Sequence, residues 1–199
     1  MDGTFSLPYS EYRVAETLIK LFPKKEGYAL FIPVSRQQKG IDLLLYNQKS
    51  GKKLAIQVKA SRAYPHDPEK SERQYGIWFK NFFDKCKTDN ADYYIIYGLY
   101  PMHKKTVSSK DCWKEILLLY SKAQMIKYLD RVRLVNSPNE RDSFFGFEFD
   151  DGGPVWEGRG IEKKKCKEVT RYLFPANGKK KSGGTGNDVI EEMKGKLNK

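Results

Sequence analysis

Within residues 41–60, IDLLLYNQKSGKKLAIQVKA, one acid and two other polar side chains stand where core strands should be apolar. Asp42 opens one hydrophobic run, and Gln57 and Lys59 interrupt the next. Alternate residues of a strand share a face, so Ala55, Gln57 and Lys59 point away from Leu54, Ile56 and Val58. Polar groups on a buried strand face are costly unless something satisfies them. The segment 47–53, centred on Ser50-Gly51, reads as a tight hairpin connection, which brings Asp42 near the far end of the next strand. Asp42, Gln57 and Lys59 then converge on one spot at the sheet edge. A hard divalent cation such as Mg²⁺, or Mn²⁺ in its place, takes oxygen ligands and keeps several waters. The Asp42 carboxylate, the Gln57 amide oxygen and the Val58 main-chain carbonyl would supply such ligands. An ion there lowers the pKa of a bound water and stabilises charge on a phosphate. Lys59 would orient that water or stabilise the developing charge. The chemistry indicated is phosphodiester hydrolysis. Each residue alone has a plainer role: Asp42 ending a strand, Lys59 snorkelling, Gln57 bonding an edge. The ordered set carries the reading.

The elements that must position these residues follow from pattern. Residues 10–22 read as a helix capped by Ser10, with Val14, Ala15, Leu18, Leu21 and Phe22 on one face. Residues 28–34, 42–46 and 54–60 read as strands, and 35–40 as a polar loop. Residues 61–75, with Pro65 and Pro68, read as a loop; 76–83 is ambiguous between strand and short helix. Residues 91–99 and 116–120 read as strands, and Ser121 as the cap of a helix to about 129. Phe145, Phe147 and Phe149 alternate, which suggests an edge strand. Residues 188–197 read as a short terminal helix. Trp78, Tyr93 and Tyr94 are expected in the core.

Asp, a short hairpin, then Gln-Val-Lys resembles the PD-(D/E)XK, or restriction-endonuclease-like, nuclease superfamily, in a variant with Gln57 where the second acid usually stands. Ala15-Glu16, Gly27-Tyr28, Ile32-Pro33 and Ile41-Asp42 look like the first helix and strand of its Holliday-junction-resolvase-like branch. The resemblance spans roughly residues 10–62 and extends weakly through 91–99. It implies an α/β (α+β) fold, a mixed central β-sheet flanked by helices. It also implies a metal-dependent DNA endonuclease with Glu16, Asp42, Gln57 and Lys59 as its site. By helical phase Glu11, two turns before Leu18, points inward better; by motif spacing Glu16 fits better, so Glu16 is taken and Glu11 held in reserve. Ile41 stands where Pro is usual. Gln57 removes one negative charge, which should weaken metal affinity unless Glu16 compensates; the alternative is a DNA-binding module with little or no catalysis.

The chain has 199 residues, 37 Lys and Arg against 25 Asp and Glu, and a net charge of +12, a balance that favours a polyanion partner. DNA contacts are expected from Ser35, Arg36, Gln37, Gln38 and Lys39 before Asp42, and from Ser61 and Arg62 after Lys59. His66 lies in the loop beyond. A basic cluster from Arg159 to Lys181 would add sequence-independent phosphate affinity. Cys86, Cys112 and Cys166 form no CxxC pair, and the two histidines are isolated, which argues against structural zinc and for a reducing compartment. The first twenty residues carry Asp2, Glu11, Arg13 and Glu16 and no signal-peptide pattern, so a soluble cytoplasmic protein, nucleoid-associated when bound to DNA, is expected. The expected organisation is a nuclease-like core over 1–130, an extension packed on it over 131–176, and a basic flexible tail over 177–199. A homodimer would suit cleavage of both strands.

Overall fold

Tyr93, Ile95 and Tyr97 alternate with Tyr94, Ile96 and Gly98 along β5 (Tyr93–Pro101), and both sets are buried. A strand buried on both faces needs cover on each. The computed structural model describes residues 3–33, 40–69, 71–101, 113–134, 136–174 and 186–199 and supplies that cover. β5 lies between β3 (Lys53–Pro65) and β6 (Trp113–Ser121) in a sheet ordered β1 (Tyr28–Phe31), β2 (Leu43–Asn47), β3, β5, β6. Every pair is antiparallel except β3 with β5, which is parallel.

β3 is long because it serves two sets of partners. Residues 56–62 pair with β5, and 63–65 pair with β4 (Tyr75–Lys80). The ladder then continues through β7 (Phe144–Phe149) to β8 (Val155–Glu157). The described chain thus forms a mixed α+β fold with one eight-stranded sheet and four helices. Against one face pack α1 (Gly3–Leu21) and α4 (Gly186–Asn198), which bring Val14, Leu18, Val189, Met193 and Leu197 onto Leu43, Ile56 and Tyr93. Against the other lie α2 (Phe83–Thr88) and α3 (Lys122–Asp130), with Phe83, Met125 and Leu129 on Tyr94, Ile96, Ile77 and Phe147. Each large apolar side chain so buried contributes about 1.5–3 kcal/mol before conformational entropy is subtracted.

Local chemistry places the turns. Gly51 sits at φ 72, where a side chain is disfavoured, and its N–H donates to Asn47 O at 2.9 Å to close the β2–β3 hairpin. Ser121 and Gln124 form a reciprocal capping box that starts α3.

Several expectations change. α1 begins at Gly3, so Ser10 lies buried inside the helix and does not cap it. The loop expected from residue 61 is strand to Pro65, because pairing with β5 to Arg62 and then with β4 prolongs β3. β7 is not an edge strand: β4 and β8 flank it, and Phe145, Phe147 and Phe149 face the core. That pairing makes 144–157 part of the same sheet. The terminal helix expected over 188–197 is found, as α4 from Gly186 to Asn198, and its Val189, Ile190, Met193 and Leu197 are buried, so this part of the segment expected as a tail packs on the sheet. Its end is tied down, as Asn198 Oδ1 accepts from Asn47 Nδ2 at 2.8 Å and from Tyr28 OH at 3.1 Å. Tyr93 and Tyr94 are core, but Trp78 is 38% exposed. No helix among the described residues is long and apolar enough to cross a membrane.

Candidate functional site

Asp42 immediately precedes β2 and stays joined to β3. Its N–H donates to Ile56 O at 3.0 Å, and its Oδ2 accepts from Val58 N–H at 2.7 Å. The β2–β3 register, Leu43 opposite Ile56, carried one residue outward sets Asp42 opposite Gln57. Gln57 and Lys59 share the β3 face that looks toward Tyr94, Ile96 and α2, while Ile56 and Val58 join the opposite core.

Asp42, Gln57, Val58 and Lys59 line one cleft of about 890 Å³. Burial pulls the Lys59 ammonium below the ordinary lysine range, and the negative charges of Asp42 and Asp89 partly restore it. Its Nζ lies 5.1 Å from the centre of the Phe82 ring, a cation–π contact at the cleft wall.

Of the two α1 acids, Glu11 lines the cleft. Glu16, the acid chosen by motif spacing, does not. It is exposed on α1 and ion-paired with Arg13 and with Lys20, the latter at 2.8 Å. Those pairs hold the Glu16 carboxyl below its ordinary value. Phase accounts for the difference in position: Glu11 precedes buried Leu18 by seven residues, two helical turns. Ser61 and Arg62 also lie off the cleft, on the prolonged β3; the Arg62 guanidinium sits 5.1 Å from the Tyr64 ring centre. His66 bonds Ser71 Oγ at 3.0 Å and lines a second cleft. Ser35, Arg36, Gln37, Gln38 and Lys39 fall outside the described residues, and Pro33 and Ile41, which flank them, line the cleft. Of the basic cluster, Arg159 pairs with Asp142, Lys163 with Glu72 and Lys165 with Glu162. Lys179, Lys180 and Lys181 lie outside the described residues.

Three cations line the cleft that residue spacing gave no sign of: Lys80 from β4, Lys85 from α2 and Arg141 before β7. Arg141 is fixed by a 2.7 Å hydrogen bond to Leu129 O and by the Phe83 ring, 3.7 Å away. The donor chemistry of the same cleft suits a hard divalent ion, since Asp42, Glu11, the Gln57 amide and the Val58 carbonyl all offer oxygen. No three His, Cys, Asp or Glu side chains among the described residues stand together as a metal site. Any such set here therefore leans on the Gln57 amide and a main-chain carbonyl.

No family model matches the chain, and neither does any curated protein or solved structure.

Proposed function

We propose that the chain is a divalent-metal-dependent DNA endonuclease that hydrolyses phosphodiester bonds by direct attack of water, at a site defined by sequence or structure. One observation carries the reading: a single cleft is lined by Asp42, Gln57 and a largely buried Lys59, together with the cations Lys80, Lys85 and Arg141. On this reading Asp42, Gln57, the Val58 carbonyl and Glu11 hold a Mg²⁺ or Mn²⁺ ion. The ion would supply an activated water and charge neutralisation at the phosphate. Lys59 places a cation beside the reacting oxygens, where partial burial strengthens it. Lys80, Lys85 and Arg141 hold the flanking phosphates. The same proposal takes α1 with the β1–β2–β3–β5–β6 sheet as a restriction-endonuclease-like core, and two copies of the chain as the unit that cuts both strands.

The test is supercoiled plasmid with Mg²⁺ or Mn²⁺, beside Asp42→Ala and Lys59→Ala. Metal-dependent nicking by the wild type, lost in both variants, is the expected result; nicking that survives in both defeats the proposal. Gln57, neutral where an acid is usual, favours one second reading, a DNA-binding module without catalysis. Its signature is tight, salt-sensitive binding with intact plasmid.

A further inference from the structure

The outer face of β3, β4 and β7 carries residues that the core does not use. Tyr64, Trp78 and Phe144 are 37%, 38% and 41% exposed. Register makes them neighbours: Tyr64 opposes Gly76, Trp78 opposes Gly146, and Lys80 opposes Phe144. The Tyr64 and Trp78 rings stack at 5.2 Å between centres and 16° between planes. Guanidinium groups interleave with them. Arg62 lies 5.1 Å from the Tyr64 ring centre, and Arg159 lies 5.8 Å from that of Trp78 and 4.7 Å from that of Phe144.

Two glycines make room for this arrangement. A Cβ at Gly146 would collide with Trp78 Cδ1, and one at Gly76 would collide with the His66 ring and crowd Trp78 Nε1. Glycine inside a strand weakens it, and a closely approaching ring is one reason to find it there. The cations of this face, Arg62, Lys80 and Arg159, stand beside acids as well, Asp67 and Glu72 of the neighbouring cleft among them. Glu148 is the acid opposite Gly76, and Asp142 accepts a hydrogen bond from Arg159 at 3.4 Å. Trp78 and Lys80 also line the cleft of Asp42 and Lys59, so the aromatic face is continuous with that site.

We propose that this face is a stacking platform for unpaired bases of a DNA strand whose phosphates run through the cleft. Rings accept the base faces without regard to sequence, and Arg62, Arg159 and Lys80 meet the phosphates between them. The occupant is chosen by charge: alternating rings and guanidiniums on a chain of net charge +12 suit a polyanion with flat, stackable bases better than an apolar protein surface. The inference rests on the nuclease reading for the identity of the strand. It deepens that reading by making the preferred substrate one with unpaired bases beside the cut.

The experiment measures binding by fluorescence anisotropy in Ca²⁺ with three labelled probes of about 20 nucleotides: a single strand, the matched duplex, and a single strand in which most bases are replaced by abasic sites. Wild type is expected to bind the base-bearing strand roughly tenfold or more tightly than the abasic one, the range expected for stacked bases. Trp78→Ala and, on a different strand, Tyr64→Ala lose most of that ratio; Trp78→Phe keeps it and controls for folding. The proposal is overturned if wild type binds the base-bearing and abasic strands equally. It is also overturned if both alanine variants keep the ratio, including the case in which they only convert a dimer to a monomer. Plasmid nicking by the same preparations reads the nuclease reading separately: nicking with no base preference defeats the platform alone, and base preference with no nicking defeats the nuclease alone.

Discussion

The Oδ2 atom of Asp42 accepts a hydrogen bond from the Val58 N–H at 2.7 Å, which fastens the acid to the strand that presents Gln57 and Lys59. On the proposed reading this residue has two duties, one structural and one electrostatic, and substitution can separate them. Asp42→Asn keeps an acceptor for Val58 N–H and removes the charge. It should abolish nicking while thermal stability stays close to wild type. Asp42→Ala also leaves that N–H unpaired, at a cost of about 1–3 kcal/mol. Melting temperatures of the two variants, read beside their nicking rates, check the separation.

Lys59 gives a pH-dependent prediction for the metal-free protein. Its folded-state pKa is lowered by burial, with Asp42 and Asp89 opposing. Below the folded value both states hold the proton and the cost of burying the ammonium is present in full. Between the folded and unfolded values the folded chain sheds its proton first, so stability rises with pH. Lys59→Met should therefore melt higher than wild type at neutral pH, by on the order of 1 kcal/mol. That advantage should shrink toward about pH 10. Thermal melts across this interval in EDTA decide it, and a variant less stable at every pH would refute the account of Lys59.

The two acids of α1 should behave oppositely. Glu11→Gln removes a carboxylate that lines the cleft and should reduce nicking by at least tenfold, a rise of about 1.4 kcal/mol in the barrier. Glu16→Gln breaks only exposed ion pairs with Arg13 and Lys20 and should leave both rate and stability within about 0.5 kcal/mol of wild type. Parallel rate measurements on the two variants suffice.

α4 should matter to folding although it lies near the C-terminus. Met193 is fully buried against the sheet face that α1 also covers. Met193→Ala should cost about 2–5 kcal/mol and lower the melting temperature by several degrees. A melt unchanged by this substitution would mean that α4 is not docked in solution.

The site's nearest parts were legible because they lie close in sequence. Ser50-Gly51 announces the hairpin, and strand alternation puts Gln57 and Lys59 on one face; both are local signals. Ser121 announces α3 for the same reason. Lys80, Lys85 and Arg141 left no such trace. They reach the cleft through the β3–β4 and β4–β7 ladders, whose registers join residues as far apart as Tyr75 and Phe149. Trp78 illustrates the same gap. Its type suggests core, and only the β4–β7 pairing shows that Ile77 and Phe79 take the inner face and leave Trp78 outside. For Glu11 against Glu16, helical phase carried the better information than motif spacing, since burial of Leu18 fixes the rotation of α1.

Gln57 is where catalysis is most exposed to challenge, and restoring the missing charge tests it. Gln57→Glu should lower the metal concentration needed for half-maximal nicking, because a third carboxylate, beside those of Asp42 and Glu11, strengthens the oxygen set. A variant that needs more metal than wild type would place Gln57 outside the ligand set.

The most direct measurement is the initial rate of supercoiled-plasmid nicking at graded Mg²⁺ and Mn²⁺ for wild type beside Asp42→Asn. The account predicts a rate that saturates with metal and vanishes in EDTA for wild type, and no rate above background for Asp42→Asn at any metal concentration. Equal nicking by the two proteins, or a wild-type rate that does not depend on metal, would contradict it.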